Sequence, residues 1–197
     1  PLYSSAASDV YKRQGLVIID EAYIDFAMEP SWINEIKNYP NVIVTQTLSK
    51  AVGLAGIRLG ILYASQEIID VLNKIKPPYN INQLTQLKAI EILGNYDKVV
   101  DETNTIIEQK DFLEQALAEI SFVEKIYPSD ANFILIKVDN ANERYNQLIE
   151  KGIVIRNRNN DDLCQNCLRI TIGTEEENQK LIPVSYTHLT LPTNREV

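Results

Sequence analysis

Two apolar runs constrain the fold of the first half of the chain more than any other feature. GLVIID (15–20) and NVIVTQT (41–47) are continuous, which is typical of strands buried on both faces of a parallel sheet. A short helical stretch carrying Trp32 is predicted between them. Strand, helix and strand in this order predict a right-handed parallel crossover. Alternating apolar side chains predict a further strand over residues 56–63.

The pattern changes after a helix that Ser65 is expected to cap and that ends before Pro77. Two long helices are predicted over 82–93 and 96–120, separated at Gly94. The strands FVEKIY and NFILIKV, a helix capped by Asn140, and the short strands GIVIR and CLRITI follow. We therefore predict an α/β fold with an α+β C-terminal domain.

Domain boundaries are predicted from the same patterns. Residues 15–95 form part of one domain and residues 96–182 form the C-terminal domain. The ends, 1–14 and 183–197, show no helix or strand periodicity, and we expect both to be non-native, adapter-derived sequence. A capping box at Thr174 opens the last helix, and Pro183 is expected to end it.

Composition excludes several classes of protein. The formal net charge of -8 provides no electrostatic basis for binding nucleic acid. No apolar run reaches the about 20 residues that a membrane span needs. No signal peptide is visible, so the cytoplasm is the expected location. The pair Cys164 and Cys167 offers too few ligands for a closed zinc site, the only histidine is His188, and no metal site is predicted.

Charged and hydroxyl side chains gather where the predicted strands end. Asp20 closes the first apolar run and Lys50 lies just beyond the second. In open α/β sheets, ligands bind beyond the carboxyl ends of the strands, so both side chains should face one crevice. Thr47 and Ser49 add hydroxyl groups beside the lysine. Arg58 adds a planar guanidinium, which is suited to binding phosphate.

This set of groups predicts a pyridoxal phosphate site. The cofactor's aldehyde binds covalently to a lysine amine, here that of Lys50; its phosphate needs hydroxyls and an arginine; and its ring nitrogen needs a carboxylate, here that of Asp20. Tyr23 could donate a hydrogen bond to the ring's 3-oxygen. We predict Lys50, Asp20 and Tyr23 as catalytic. Asp20-Glu21 after an apolar strand also fits a P-loop ATPase, although no G-x-x-x-x-G-K-[ST] motif is present.

The segments VIIDEAYIDF and TLSKAVGLAGIRLG resemble the class I/II aminotransferases of fold type I, and most specifically the histidinol-phosphate aminotransferases. The spacing from Asp20 to Lys50 and from Lys50 to Arg58 matches that family, as does Ser49 at its phosphate site. The resemblance extends through YPSDANFILIKV and GIVIRNRNNDDLCQNCLRITIGTEEEN. It implies that Arg156 and Arg169 bind anionic groups of the substrate. It covers residues 15–182, about the C-terminal half of such an enzyme: part of the large-domain mixed sheet plus the small domain.

The resemblance also implies an activity. The complete enzyme would be a homodimer that transaminates L-histidinol phosphate, with glutamate and 2-oxoglutarate as the other substrate pair, in histidine biosynthesis. This chain alone is expected to be inactive. The alternatives are another class I/II aminotransferase or a threonine-phosphate decarboxylase. A P-loop ATPase fragment and an inert truncated fold remain possible from other classes.

Overall fold

The structure is a computed structural model that describes residues 15–186. Contacts divide the chain into two compact units, the first ending at Asp101 and the second beginning at Glu102. The division falls inside one long helix. The predicted non-native segment 1–14 lies outside the described residues, and so do residues 187–197 of the predicted non-native segment 183–197.

The described part of the first unit, residues 15–101, contains three strands and two complete helices. Its elements in chain order are β1 (Val17–Asp20), β2 (Val42–Thr47), β3 (Gly60–Ala64), α1 (Gln66–Ile75) and α2 (Gln83–Leu93). The sheet order is β1-β2-β3. β2 is parallel to β1 and antiparallel to β3, so the mixed sheet and the parallel crossover predicted from sequence are confirmed.

Three predictions for this unit are corrected. The third strand begins at Gly60 rather than at residue 56, because a 3-10 turn over Ala55–Ile57 precedes it. Ser65 stands at the N-cap of α1, but its buried hydroxyl makes no hydrogen bond in the described part of the chain. β1 is not buried on both faces, since the Ile18 side chain is 66% exposed.

A short segment covers one face of this sheet. Ser31 caps a 3-10 turn over Trp32–Glu35 by accepting from the backbone N–H of Ile33 at 3.1 Å. The Trp32 indole then packs with Val42 and Val44. Ile18 projects to the opposite face, because successive side chains in a strand alternate. On that face Ile18 is exposed, whereas Ile43, its partner on β2, is buried.

The second unit contains a four-stranded antiparallel sheet and its helices. Its elements are α3 (Tyr96–Ala118), which begins in the first unit, β4 (Val123–Tyr127), β5 (Phe133–Val138), α4 (Ala141–Glu150), β6 (Arg156–Asn157), β7 (Cys167–Thr171) and α5 (Glu175–Tyr186). The strand order is β4-β5-β7-β6. A single cluster of buried aliphatic side chains from these helices and one face of the sheet forms the core.

Local capping signals in the second unit are confirmed. The Asn140 side chain accepts from the backbone N–H of Glu143 at 3.2 Å. Thr174 and Glu177 form the reciprocal capping box, with backbone N–H to side-chain distances of 2.8 and 3.3 Å. Among residues 15–186, no helix is long and apolar enough to cross a bilayer.

Two boundaries in the second unit differ from those predicted. The segment GIVIR contributes only Arg156 to a strand. Ile155 lies in the core and Ile153 packs against it, whereas Val154 between them is 81% exposed. Helix α5 continues through Pro183 to Tyr186. Proline fixes φ near the helical value, so the backbone can continue at the cost of one hydrogen bond.

Candidate active site

The predicted residues of the first unit lie at one edge of its sheet. β1 and β2 are parallel, so Asp20 and Thr47 end their strands on the same side. β3 runs in the opposite direction and begins there, with Gly60 opposite Thr47. Arg58 therefore enters from this edge too. The directions of the three strands thus bring these residues to one edge of the sheet, as the sequence predicts.

The segment after β2 is shaped by hydroxyl groups. Thr47 Oγ1 accepts from the backbone N–H of Ser49 at 3.1 Å and donates to Ser49 Oγ at 2.9 Å. Backbone bonds from Leu54 to Leu48 and from Gly53 to Lys50 then close the loop. Gly53 adopts a φ of 72°, which costs a glycine little. The two hydroxyls are thus held together immediately before Lys50.

Lys50 and Tyr23 come together from two different strand ends. Each lies three residues beyond its strand, and the Lys50 Nζ atom is 4.8 Å from the centroid of the Tyr23 ring. Within residues 15–186 the Lys50 ammonium forms no salt bridge with a carboxylate. Its charge faces the aromatic ring, an attractive arrangement. The amine is half-buried at the sheet edge and available for chemistry.

Asp20 lies on the open face of the sheet. Its Oδ1 accepts from the backbone N–H of Ala22 at 3.0 Å, and the side chain is exposed. Asp20 and Ile18 project to the same face, opposite to the face that Trp32 covers. The carboxylate can therefore still accept a hydrogen bond from a group bound over this face.

Arg58 has a strained backbone. Its φ and ψ of 55° and 48° are left-handed, a region that non-glycine residues seldom occupy and that clusters at functional sites. Arg58 Nη1 donates to the carbonyl of Ala55 at 2.9 Å. Thr85, which is buried in α2, donates to the carbonyl of the adjacent Ile57 at 3.3 Å. These bonds hold the turn that presents the guanidinium.

The sequence did not indicate that Glu21 has a structural role at this edge. Its buried carboxylate accepts from Ser31 Oγ at 2.7 Å, from the Trp32 backbone N–H at 2.7 Å and from Gln46 Nε2 at 3.0 Å. These bonds tie the end of β1 to β2 and to the segment that covers the sheet. Glu21, the acid beside Asp20, therefore has a structural role.

The two arginines predicted to bind substrate are neighbours in the second unit. Arg156 on β6 is directly opposite Arg169 on β7. Such residues project to one face, with Cβ atoms about 4.5–5.5 Å apart. Like charges in this position are destabilising, so an anion bound by both would relieve the repulsion. Arg169 Nε is buried and has no hydrogen-bond partner among the described residues.

The C-x-x-C pair forms a turn, as predicted. The Cys167 backbone N–H donates to the carbonyl of Cys164 at 2.9 Å, and both thiols are free. Burial raises the pKa of the Cys167 thiol above its ordinary value. Burial thus disfavours the thiolate form of Cys167 at the start of β7.

Comparison with known proteins identifies the family. The family model for aminotransferases of class I and II matches residues 6–184. The chain belongs to this family. Histidinol-phosphate aminotransferase of Flavobacterium johnsoniae is 65% identical to it over 169 residues, which are 86% of this chain and 48% of that protein. The chain thus spans about half the length of the curated relatives that it matches, and its family membership removes the P-loop ATPase alternative.

Solved structures share the fold. Histidinol-phosphate aminotransferase from Clostridium acetobutylicum matches with a TM-score of 0.82 and 26% identity, over 95% of this chain and 57% of that one. A decarboxylase from Sulfurospirillum multivorans has a TM-score of 0.82 and 27% identity, over 96% and 56%. Histidinol-phosphate aminotransferase from Sinorhizobium meliloti, in complex with pyridoxal-5'-phosphate, has a TM-score of 0.73 and 25% identity, over 88% and 49%. The predicted fold, part of a fold-type-I aminotransferase, is confirmed.

Proposed function

We propose that the complete enzyme, to which this aminotransferase chain contributes about half, transaminates L-histidinol phosphate with 2-oxoglutarate using pyridoxal phosphate. The observation that carries the proposal is the position of Lys50. Its amine projects from one strand end beside Tyr23 from another, at the edge where Asp20 and Arg58 also lie. The 65% identity with a histidinol-phosphate aminotransferase supports the choice of substrate.

The residues present fit the cofactor. When bound, pyridoxal phosphate supplies an electron sink for the negative charge that develops at the substrate Cα. Lys50 would hold it covalently, and Tyr23 would donate to its ring oxygen. Thr47, Ser49 and Arg58 would bind its phosphate. The Arg58 guanidinium suits this role because a left-handed turn presents it at the strand edge.

Asp20 is proposed to keep the cofactor's ring nitrogen protonated. A carboxylate on the open face of the sheet, with one oxygen engaged by the Ala22 backbone N–H, retains acceptor capacity on its other oxygen. A charge-assisted hydrogen bond of this kind is stronger than a neutral one. Replacing the acid by an amide would remove that preference for the protonated ring.

Lys50 is also proposed as the group that moves the proton. Once the incoming amine of the substrate has displaced it from the cofactor, the Lys50 amine would take the proton from the substrate Cα and pass it to the cofactor carbon on the other side of the substrate nitrogen. One residue can serve both as base and as acid because the same nitrogen carries the proton between the two positions. Tyr23, whose ring lies against this nitrogen, would restrict its path.

The arginine pair in the second unit is proposed to bind the substrates' anionic groups. Guanidinium groups bind phosphate and carboxylate with paired hydrogen bonds. Arg156 and Arg169 on one face of adjacent strands could therefore hold the phosphate of histidinol phosphate in one half-reaction and a carboxylate of glutamate in the other. We further propose that the complete enzyme is a homodimer and is located in the cytoplasm.

The complete enzyme can be obtained as a chimera, and this chimera is the basis of the test. Residues 15–182 would replace the corresponding residues of the Flavobacterium johnsoniae relative, chosen for its 65% identity, and the predicted non-native ends would be left out. We expect formation of glutamate from histidinol phosphate and 2-oxoglutarate, and about a thousandfold or greater loss in Lys50→Ala, because the residue removed is both the anchor and the base. The 197-residue chain alone is expected to be inactive.

The same chimera separates the runner-up functions. A decarboxylase acting on threonine phosphate would release carbon dioxide without consuming 2-oxoglutarate. Another class I/II aminotransferase would consume 2-oxoglutarate but prefer an amino donor without phosphate. Either result would overturn the substrate assignment while leaving the roles of Lys50 and Asp20 intact.

A further inference from the structure

We propose that Phe133 is a positioning residue that holds the Arg169 guanidinium in place. The Arg169 Cζ atom is 4.9 Å from the centroid of the Phe133 ring. A cation above an aromatic face at this distance is attracted by the ring's quadrupole. The inference rests on the proposed function, because it gives a role to a second residue of the same anion-binding surface.

The strand register explains why the two side chains meet. Arg169 on β7 is opposite Leu135 on β5. Phe133 lies two residues before Leu135 on β5 and is opposite Thr171 on β7. Phe133 and Arg169 are therefore diagonal neighbours on one face of the sheet, within reach of long and aromatic side chains.

Phe133 is not a residue of the hydrophobic core. The core contains Ile134 and Ile136 from this strand, and alternation places Phe133 on the opposite face. On that face the ring contacts the Arg169 guanidinium.

Neighbouring hydrogen bonds fix the position of Phe133. Ser129 Oγ donates to the Phe133 carbonyl at 2.5 Å, and Lys110 Nζ donates to the Ser129 carbonyl at 2.7 Å. Ala131 closes the same turn by donating from its backbone to Ser129 Oγ at 3.3 Å. These bonds fix the backbone from which the ring projects and tie the start of β5 to α3.

The guanidinium needs such a surface. Arg156 lies directly across the ladder, and its like charge would push Arg169 toward other rotamers when no anion is bound. The ring opposes that displacement. It also leaves Arg169 Nε, which is buried without a partner in the described chain, in a fixed direction. Ordering the side chain in advance reduces the entropy that substrate binding must overcome.

The kinetic test uses the chimera described above. Phe133→Leu should raise KM for histidinol phosphate and the inhibition constant of inorganic phosphate by the same factor, about threefold to thirtyfold. kcat should change by less than about twofold, because binding of ground state and transition state falls equally. Phe133→Tyr keeps the ring and should restore both constants.

A double-mutant cycle distinguishes positioning from general packing. In the Arg169→Lys background, Phe133→Leu should change KM by less than about twofold, since the planar guanidinium that contacts the ring is already absent. If Phe133→Leu does not fold, Phe133→Met serves in its place. Equal effects in both backgrounds, or a Tyr variant as impaired as the Leu variant, would overturn the inference.

A spectroscopic readout is independent of activity. In the 197-residue chain, the Arg169 Nε–H signal should be shifted upfield by the ring current and should lose that shift in Phe133→Leu. An inactive chimera together with the expected shift would reject the proposed function and keep the positioning role. An active chimera, together with no upfield shift of the Arg169 Nε–H signal in the 197-residue chain, would support the proposed function and reject the positioning role.

Discussion

The two units of this chain differ in how completely they bury their apolar residues. The second unit has a core cluster of thirteen buried residues, which includes the fully buried Leu113 and Ile134. The corresponding cluster of the first unit consists of Trp32, Val42 and Val44. Both units have similar lengths, so size does not account for the difference.

Exposed side chains show the same contrast. Most of the large hydrophobic residues that are exposed in the described chain belong to the first unit, with Ile18 at 66%, Leu84 at 79% and Ile90 at 68%. Contiguous exposed apolar surface usually marks an interaction site. The chain also spans only about half the length of its relatives. We infer that the first unit depends on packing from the rest of the enzyme, whereas the described residues of the second unit bury a core of their own.

Separating the two units gives the largest expected effect. We expect residues 96–186 alone to unfold in one cooperative transition, and residues 15–95 alone to show no transition and to bind a hydrophobic dye. A cut before Tyr96 leaves α3 intact. Circular dichroism during heating would measure both. A cooperative transition from residues 15–95, with no dye binding, would contradict the comparison.

Truncating one leucine in each unit tests this difference in burial more directly. Leu113→Ala removes a fully buried side chain from the second unit and should lower the free energy of unfolding by about 2–5 kcal/mol. Leu87→Ala is the matched control in the first unit, where the side chain is 56% exposed, and should change it by less than about 0.5 kcal/mol. Denaturant unfolding of the 197-residue chain measures both. Equal losses would show that Leu87 is packed.

Features set by short stretches of sequence were predictable. The parallel pair β1 and β2, the helices separated at Gly94 and the cap at Asn140 all depend on periodicity or on residues a few positions apart. The edge that joins Asp20 and Lys50 follows from the parallel arrangement alone. Their roles stay predictions, because position at an edge does not measure chemistry.

Features set by distant partners were not predictable. Glu21 is a structural residue because its donors lie 10, 11 and 25 positions away. Arg58 leaves the predicted strand because a turn before it is tied to Thr85, 28 positions from Ile57. Phe133 meets Arg169 only in the observed register. A pattern read along one strand contains none of this information.

The buried carboxylate of Glu21 provides a smaller test within the first unit. Glu21→Ala leaves the backbone N–H of Trp32 and the side chain of Gln46 without their acceptor. In the chimera, we expect a loss of about 1–3 kcal/mol in the free energy of unfolding. Glu29→Ala, at an exposed position, is the control. A loss no larger than that of the control would mean that Glu21 does not hold β1 in place.

The smallest expected effect concerns pH and belongs to the second unit. Asp139 accepts hydrogen bonds from Arg144 Nε at 2.9 Å and Nη2 at 2.5 Å. These bonds hold the pKa of the Asp139 carboxyl below its ordinary value, although burial acts in the opposite direction. Because the pKa is lower in the folded state, this stabilisation is present above the ordinary pKa of about 3.9 and is lost as pH falls through the folded value.

The loss should be less than about 1 kcal/mol, because the pair is partly exposed to solvent and screened by salt. Unfolding of residues 96–186 between pH 6 and pH 2 would measure it against Asp139→Asn. The capping bonds from Thr174 also lower the pKa of Glu177, so both proteins should lose stability in acid. Only the difference between their curves reports on Asp139, and parallel curves would show that Arg144 contributes nothing to stability through this carboxylate.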